Sequence, residues 1–274
     1  MWRTAAAYKE NPPPDCVQAQ AAVRGFFVVF AQKPNKTEQS PEYGFFCGGF
    51  YGRINENSKI QGEGRSMTNA PKTVLAIHDL PGFGRAALSV IVPVLSTLGV
   101  QTVALPTAVL STHTGGLGTP AKLANPGYGP AALEHYHRLG VKFDCIYSGY
   151  LADAAQAKLV EQAFELWPRA FKVVDPVLGD GGRLYSGLGA DMVPAMYSLC
   201  SKADLIVPNV TEAALLLGDP LPGVGSAEQA AAQAARLTRV APQVVVTGVT
   251  GIGGGRYIGC VGAARGGEGY TVKT

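Results

Sequence analysis

From Met67 onward this chain reads as an α/β protein, a doubly wound and mostly parallel sheet with helices on both faces. Short β-branched runs alternate with longer apolar stretches of helical period through to the region of Thr247. Glycines and prolines punctuate the alternation where helices and strands should end. Neither an internal repeat nor a second composition class follows Met67, which points to one domain over 67–274.

Taken in order, Thr73–Ile77 is the first strand, and Arg85–Leu98 is an apolar helix. Pro93 lies within that helix, has no N–H to donate and predicts a kink. Gly99 suits the left-handed position that closes it. Val100–Leu105 is the second strand, stopped at Pro106 and followed by a polar loop from Thr107 to Pro120. Next come a helix over Pro130–Leu139, a short strand at Cys145–Tyr147 and a helix over Ala154–Leu166 ended by Pro168. Lys172–Val174 is a buried strand, stopped by Asp175–Pro176. A helix near Leu188–Leu199, a strand at Asp204–Val207 and a helix over Thr211–Leu217 follow. The helix Ala227–Arg239 carries a polar face, and Gln243–Thr247 is the last clear strand.

Residues 1–66 show no sustained period. Prolines cluster at Pro12–Pro14, and a few polar residues after Met67 the first strand begins. Met67 is therefore the expected natural start, and 1–66 an irregular extension foreign to the domain; a disordered tail and a small accessory segment are the alternatives. The acids Glu10, Asp15, Glu38 and Glu42 argue against a targeting peptide.

A net charge of +3 without a basic stripe gives no reason to expect nucleic acid. Five scattered cysteines with no C-x-x-C fit neither a disulfide framework nor a zinc site. The apolar run Phe26–Ala31 is far too short to span a membrane. These features lead us to expect a soluble, cytoplasmic protein.

The stretch from Lys172 to Tyr185 holds the most chemistry. Asp175 at a strand tip and Asp180 beyond it, among glycines, suit a metal and a polyphosphate, because ligands bind at the carboxyl ends of strands in such sheets. A capped strand followed by an ordinary turn fits the same residues. Gly82-Phe83-Gly84 follows the first strand, but the second strand ends without the acid that a dinucleotide fingerprint requires. A P-loop motif is absent. The loop Ser111–Gly116, with hydroxyls and His113, suits either a solvated turn or a polar aromatic ligand. His135 and His137 stand two apart on a helix, face different directions and read as surface residues. Glu212, in the first turn of its helix, is either a helix-dipole charge or a partner of Asp175 in holding magnesium. Thr247-Gly248 closes the last strand and offers a hydroxyl and a bare amide to phosphates.

Taken together, 76–116 (AIHDLPGFGRAALSVIVPVLSTLGVQTVALPTAVLSTHTGG), SGY at 148–150, DPVLGDGGRLY at 175–185, ADLIVPNVTEAALLLG at 203–218 and VVVTG at 244–248 resemble the pyridoxal/pyridoxamine kinases of the ribokinase-like superfamily. The resemblance runs from about Thr73 to the end of the chain, and DPVLGDGG, PNVTE and PTAVLSTHTG are its most specific parts. It implies an ATP- and Mg²⁺-dependent transfer to the 5′-hydroxyl of a B6 vitamer, in a homodimer, and leaves a monovalent-cation requirement open. It further implies that Asp79 and Thr114 contact the polar substituents of the pyridine ring, with His113 beside them and Tyr150 packed nearby. Asp175 and Glu212 would hold Mg²⁺, and Asp180 and Thr247 would lie near the ATP phosphates. The family's Gly-Thr-Gly-Asp motif, whose amides and aspartate serve the transferred phosphate and the attacking hydroxyl, does not occur up to Thr274. The expectation is thus a C-terminally shortened kinase, nearly inactive as written and without a catalytic base of its own. A hydroxymethylpyrimidine (phosphate) kinase and a non-catalytic B6- or nucleotide-binding protein are the alternatives.

Overall fold

The computed structural model describes residues 71–113, 117–185, 187–222, 226–251, 257–267 and 269–273. The expectations for 1–66 and for Thr114 lie outside these residues. In chain order the elements are β1 (Thr73–Phe83), α1 (Leu88–Thr97), β2 (Gln101–Thr112), β3 (Lys122–Leu123), α2 (Tyr128–Arg138), β4 (Cys145–Ser148) and α3 (Ala154–Leu166). They continue with β5 (Phe171–Val174), β6 (Gly179–Asp180), β7 (Arg183–Leu184), α4 (Met192–Cys200), β8 (Leu205–Ile206), α5 (Val210–Leu217), α6 (Ala227–Leu237), β9 (Gln243–Gly251), β10 (Tyr257–Ala264) and β11 (Tyr270–Lys273).

The main sheet has the order β11-β10-β9-β8-β5-β4-β1-β2-β3. Its centre, from β2 to β9, is parallel, and antiparallel strands flank it on both sides. Each parallel step needs a crossover, which is what the alternation of apolar strands and amphipathic helices supplies. From β1 the chain moves outward to β2, then returns across β1 to β4 and continues the other way. β1 and β4 therefore flank the topological switch point, where such sheets open a crevice at their carboxyl ends.

Two apolar layers sandwich the sheet. One packs Leu75, Ile77, Ile146, Val174 and Ile206 against α2 to α6; the other packs Val74, Ala76, Cys145 and Tyr147 against Leu88, Ile91 and Leu95 of α1. Alternate residues of β1 thus point to opposite layers, and both sets are buried, as expected for a central parallel strand.

Several strands are longer than their residue patterns suggest. β2 continues through Pro106 to Thr112, so the proline does not end it, and the expected loop from Thr107 begins late. The ladder absorbs the missing N–H with a bulge: His78 pairs with Pro106, but Leu80 pairs with Val109. β9 likewise does not stop at Thr247-Gly248; it runs to Gly251, with its register against β10 shifted across these residues and Gly248 at φ 66°. Residues 179–184 form a two-stranded hairpin in place of an open glycine loop. Gly181 and Gly182 turn it with φ of 56° and 74°, the left-handed pair that a tight two-residue hairpin requires.

Candidate active site

The site assembles where strands end. β1 brings His78 and Asp79, both buried, opposite the bulge in β2, a device that re-aims side chains at such edges. β4 ends in Ser148 and leads into Gly149-Tyr150. β5 ends beside Asp175, and β8 leads through Pro208 into α5, which carries Thr211 and Glu212.

Asp79 is held by its neighbour. Nδ1 of His78 lies 2.6 Å from Asp79 Oδ1, and Nε2 accepts the main-chain N–H of Tyr150 at 3.3 Å. Nδ1 also accepts the Asp79 main-chain N–H at 2.9 Å, so the ring meets both the side chain and the main chain of that residue. Tyr150 is pinned from its other side as well, since the Thr107 hydroxyl donates to its carbonyl at 3.2 Å. The Tyr150 phenol is raised by burial first, then by the charges of Asp79 and Asp153, so it faces the acid that the resemblance assigns to the ligand. Gly149 is obligatory here, because a Cβ would overlap the His78 ring. His113 follows β2, donates its N–H to the Phe83 carbonyl at 3.2 Å and lays its ring over Gly84.

Deeper along the same edge lie two acids. Asp175 is 4% and Glu212 is 3% exposed. Burial raises Asp175 to about 6, against the lowering effects of His78 and of the Tyr147 hydroxyl, which donates to Asp175 Oδ2 at 3.2 Å. Burial also holds Glu212 well above the usual carboxylate range, and the Asp175 charge adds to it. The two carboxylates therefore share one low-dielectric space and repel each other there. Glu212 Oε2 accepts the Asn209 N–H at 2.8 Å while Asn209 Oδ1 accepts the Glu212 N–H at 2.9 Å, a capping box. Its Oε1 accepts the Leu178 N–H at 3.1 Å. The helix-terminus role and the acid-pair role of Glu212 thus coexist in one side chain.

A pair of buried, mutually opposed carboxylates is a donor set for a hard divalent cation. Among the described residues they form no cluster of three or more His, Cys, Asp or Glu able to hold a metal ion. That suits Mg²⁺, which keeps waters and phosphate oxygens in its remaining positions. Asp180, half-buried, lies on the hairpin, which is tied to α5 by the Gly182 N–H donating to Thr211 Oγ1 at 3.0 Å and by Asn209 Nδ2 donating to the Gly179 carbonyl at 2.8 Å. Thr247 is buried in the β9 bulge, and its N–H donates to the Pro208 carbonyl at 2.8 Å, which sets it beside the start of α5.

The structure thus brings Asp79 and Tyr150 together through His78, and Asp175 together with Glu212. His135 and His137 are exposed on α2, away from this edge of the sheet. Two contributors escaped the sequence reading, His78 and Tyr147. Both lie inside strands, where a polar side chain reads as core; the cue for His78 was its place directly before Asp79, and for Tyr147 its place beside Ser148-Gly149-Tyr150.

Fold and site together define a doubly wound α/β protein with buried acids along the carboxyl edge of its sheet. A family model for phosphomethylpyrimidine kinase matches residues 95–258, more than half of the chain, and the chain belongs to that family. Its relatives include the pyridoxal kinases that the motifs resemble. Pyridoxal kinase PdxY of Deinococcus radiodurans is 28% identical over 190 residues, 64% of this chain and 61% of that protein. The crystal structure of pyridoxal kinase from Lactobacillus plantarum superposes with a TM-score of 0.66 at 36% identity, over 75% of this chain and 73% of that one. A Bacteroides thetaiotaomicron protein named as a phosphomethylpyrimidine kinase and crystallised with pyridoxal gives a TM-score of 0.69 at 35% identity, over 74% and 72%. Of the curated relatives it matches, the chain spans 50% of one and 61% of another. No described helix is long and apolar enough to cross a membrane.

Proposed function

We propose that this protein belongs to B6 salvage as an ATP-dependent kinase acting on the 5′-hydroxyl of pyridoxal, pyridoxamine or pyridoxine. The observation that carries the reading is the placement, on one sheet edge, of a buried acid pair (Asp175, Glu212) beside a hydrogen-bonded polar cluster (Asp79, His78, Tyr150). An acid pair alone fits any magnesium site, and a polar cluster alone fits any small heterocycle. Side by side they suit a polar aromatic alcohol and a metal-bound triphosphate.

In this reading Asp79, His113, Thr114 and Tyr150 orient the pyridine ring so that its hydroxymethyl group faces the acids. Asp175 and Glu212 would hold Mg²⁺, which neutralises phosphate charge during transfer. Asp180 on its hairpin and Thr247 in its bulge would flank the phosphates. Phosphoryl transfer depends on such positioning more than on covalent chemistry. The Gly-Thr-Gly-Asp motif does not occur in residues 1–274, and none of these residues is proposed to take the proton from the hydroxyl.

Calorimetry on purified 1–274 with pyridoxal and with hydroxymethylpyrimidine, each with Mg²⁺ and a non-hydrolysable ATP analogue, tests the reading. Tighter binding of pyridoxal by about tenfold or more is expected, because buried polar groups shaped for one ring are left unpaired by another. Preference for hydroxymethylpyrimidine would place the chain in thiamin synthesis and overturn the B6 reading.

A further inference from the structure

His78 is not among the residues that the family resemblance brings to the site, yet its ring is the one group joining the parts of the ligand end. Nδ1 faces Asp79 Oδ1 at 2.6 Å, and Nε2 receives the Tyr150 N–H at 3.3 Å. The ring is 8% exposed and tilts at 42° to Tyr147, whose hydroxyl serves Asp175. Gly149 provides the space it occupies. Asp79 comes from β1 and Tyr150 from the turn after β4, the two strands beside the switch point, so one side chain holds the two walls of the crevice in register.

We propose that His78 is a positioning residue for the vitamer. Through Nδ1 it holds Asp79 in place for the ring of the ligand, and by accepting at Nε2 it fixes the main chain that carries Tyr150. The proposal rests on the B6 reading above. It assigns His78 no contact with phosphate or metal, so its loss should weaken the vitamer more than the nucleotide.

Substitutions can separate the two halves of the clamp. In His78→Asn the amide nitrogen replaces Nδ1 and keeps the bond to Asp79. In His78→Gln the amide oxygen replaces Nε2 and keeps only the bond to Tyr150. Gly149→Ala displaces the ring while leaving every polar group of the site in the chain.

Pyridoxine binding to purified 1–274 and its variants is measured by calorimetry, alongside an ATP analogue with Mg²⁺. The near-ultraviolet band of bound pyridoxine reports the protonation of its ring nitrogen and 3-hydroxyl. His78→Ala and Gly149→Ala should weaken pyridoxine about tenfold, the size expected for a lost buried bond to a charged group, and shift its band. Binding of the ATP analogue should weaken clearly less than binding of pyridoxine, since His78 reaches the acid pair only through its charge and through Tyr147. His78→Asn should restore most of the affinity and the band, and His78→Gln should restore less. The proposal is overturned if His78→Ala binds pyridoxine as the parent does, or if all the variants lose both ligands together with melting temperature. A parent chain that binds no B6 vitamer removes the functional reading, and the proposal with it.

Discussion

The two ends of the crevice are built on opposite principles. At the end proposed for the vitamer, Asp79, His78 and Tyr150 are tied to one another and to Thr107 by hydrogen bonds. At the other end, Asp175 and Glu212 share a buried space and each resists ionisation. The first is a preorganised shape, which lowers the ordering cost of binding. The second stores an unfavourable charge pair that a cation would relieve, so stability should depend through it on pH and metal.

Asp175 offers the largest test of that contrast. A rise from 3.8 to about 6 corresponds, at about 1.4 kcal/mol per pH unit, to about 3 kcal/mol of disfavoured ionisation. The folded state binds this proton more tightly than the unfolded chain does. Stability without metal should therefore fall as pH rises from near 4 to near 6, and stay low above that. Asp175→Asn can keep the Tyr147 hydrogen bond through its amide oxygen and removes the charge. Urea unfolding at pH 8 without divalent ions should show it more stable than the parent by up to about 3 kcal/mol. Adding Mg²⁺ at about a hundredfold its dissociation constant should return about 2.7 kcal/mol to the parent and nothing to the variant. A parent protein whose unfolding ignores both pH and Mg²⁺ would erase the contrast.

Glu212 sharpens it, because the same chemical change there should stabilise less. Both oxygens of this carboxylate accept backbone N–H groups, from Leu178 and from Asn209. Glutamine has one acceptor oxygen, and its NH₂ group would face an N–H that it cannot satisfy. Glu212→Gln relieves the charge repulsion yet leaves a buried donor unpaired, at a cost of about 1–3 kcal/mol. We expect it to be less stable than Asp175→Asn at pH 8, and equally blind to Mg²⁺. Parallel urea curves for the two variants decide this, and equal stability would mean that the capping box contributes nothing.

How much of this was legible beforehand follows from how local each signal is. The alternation of strands and helices and the parallel centre of the sheet rest on periodicity, and the structure bears them out. Asp175 was readable because Pro176 marks the end of its strand, and Glu212 because it stands in the first turn of a helix that follows a strand; its capping box with Asn209 came from the structure. Pro106 and Thr247-Gly248 misled for a common reason. A proline or glycine in a strand reads as a stop, but across a sheet it can become a bulge, and only the partner strand reveals which. His78 and Tyr147 were missed because their importance comes from β1, β4 and β5 lying side by side, a fact of topology that no single stretch contains.

The smallest test concerns the hairpin, which sits beside the acid pair without sharing its charge. The Gly182 N–H has one recorded acceptor, Thr211 Oγ1 at 3.0 Å, and Thr211 is 3% exposed at the start of α5. Thr211→Val keeps the shape and removes the acceptor, so the loss should be about 1 kcal/mol and local. Amide exchange at Gly182 should quicken roughly fivefold while exchange in β1 and β4 stays unchanged, since the hairpin opens separately from the sheet. Binding of the ATP analogue should weaken by a similar factor if Asp180 must close on the phosphates, while pyridoxine binding should hold. Equal losses for both ligands would show that the hairpin and the vitamer end move as one body, and the division of the crevice into two independent ends would fail.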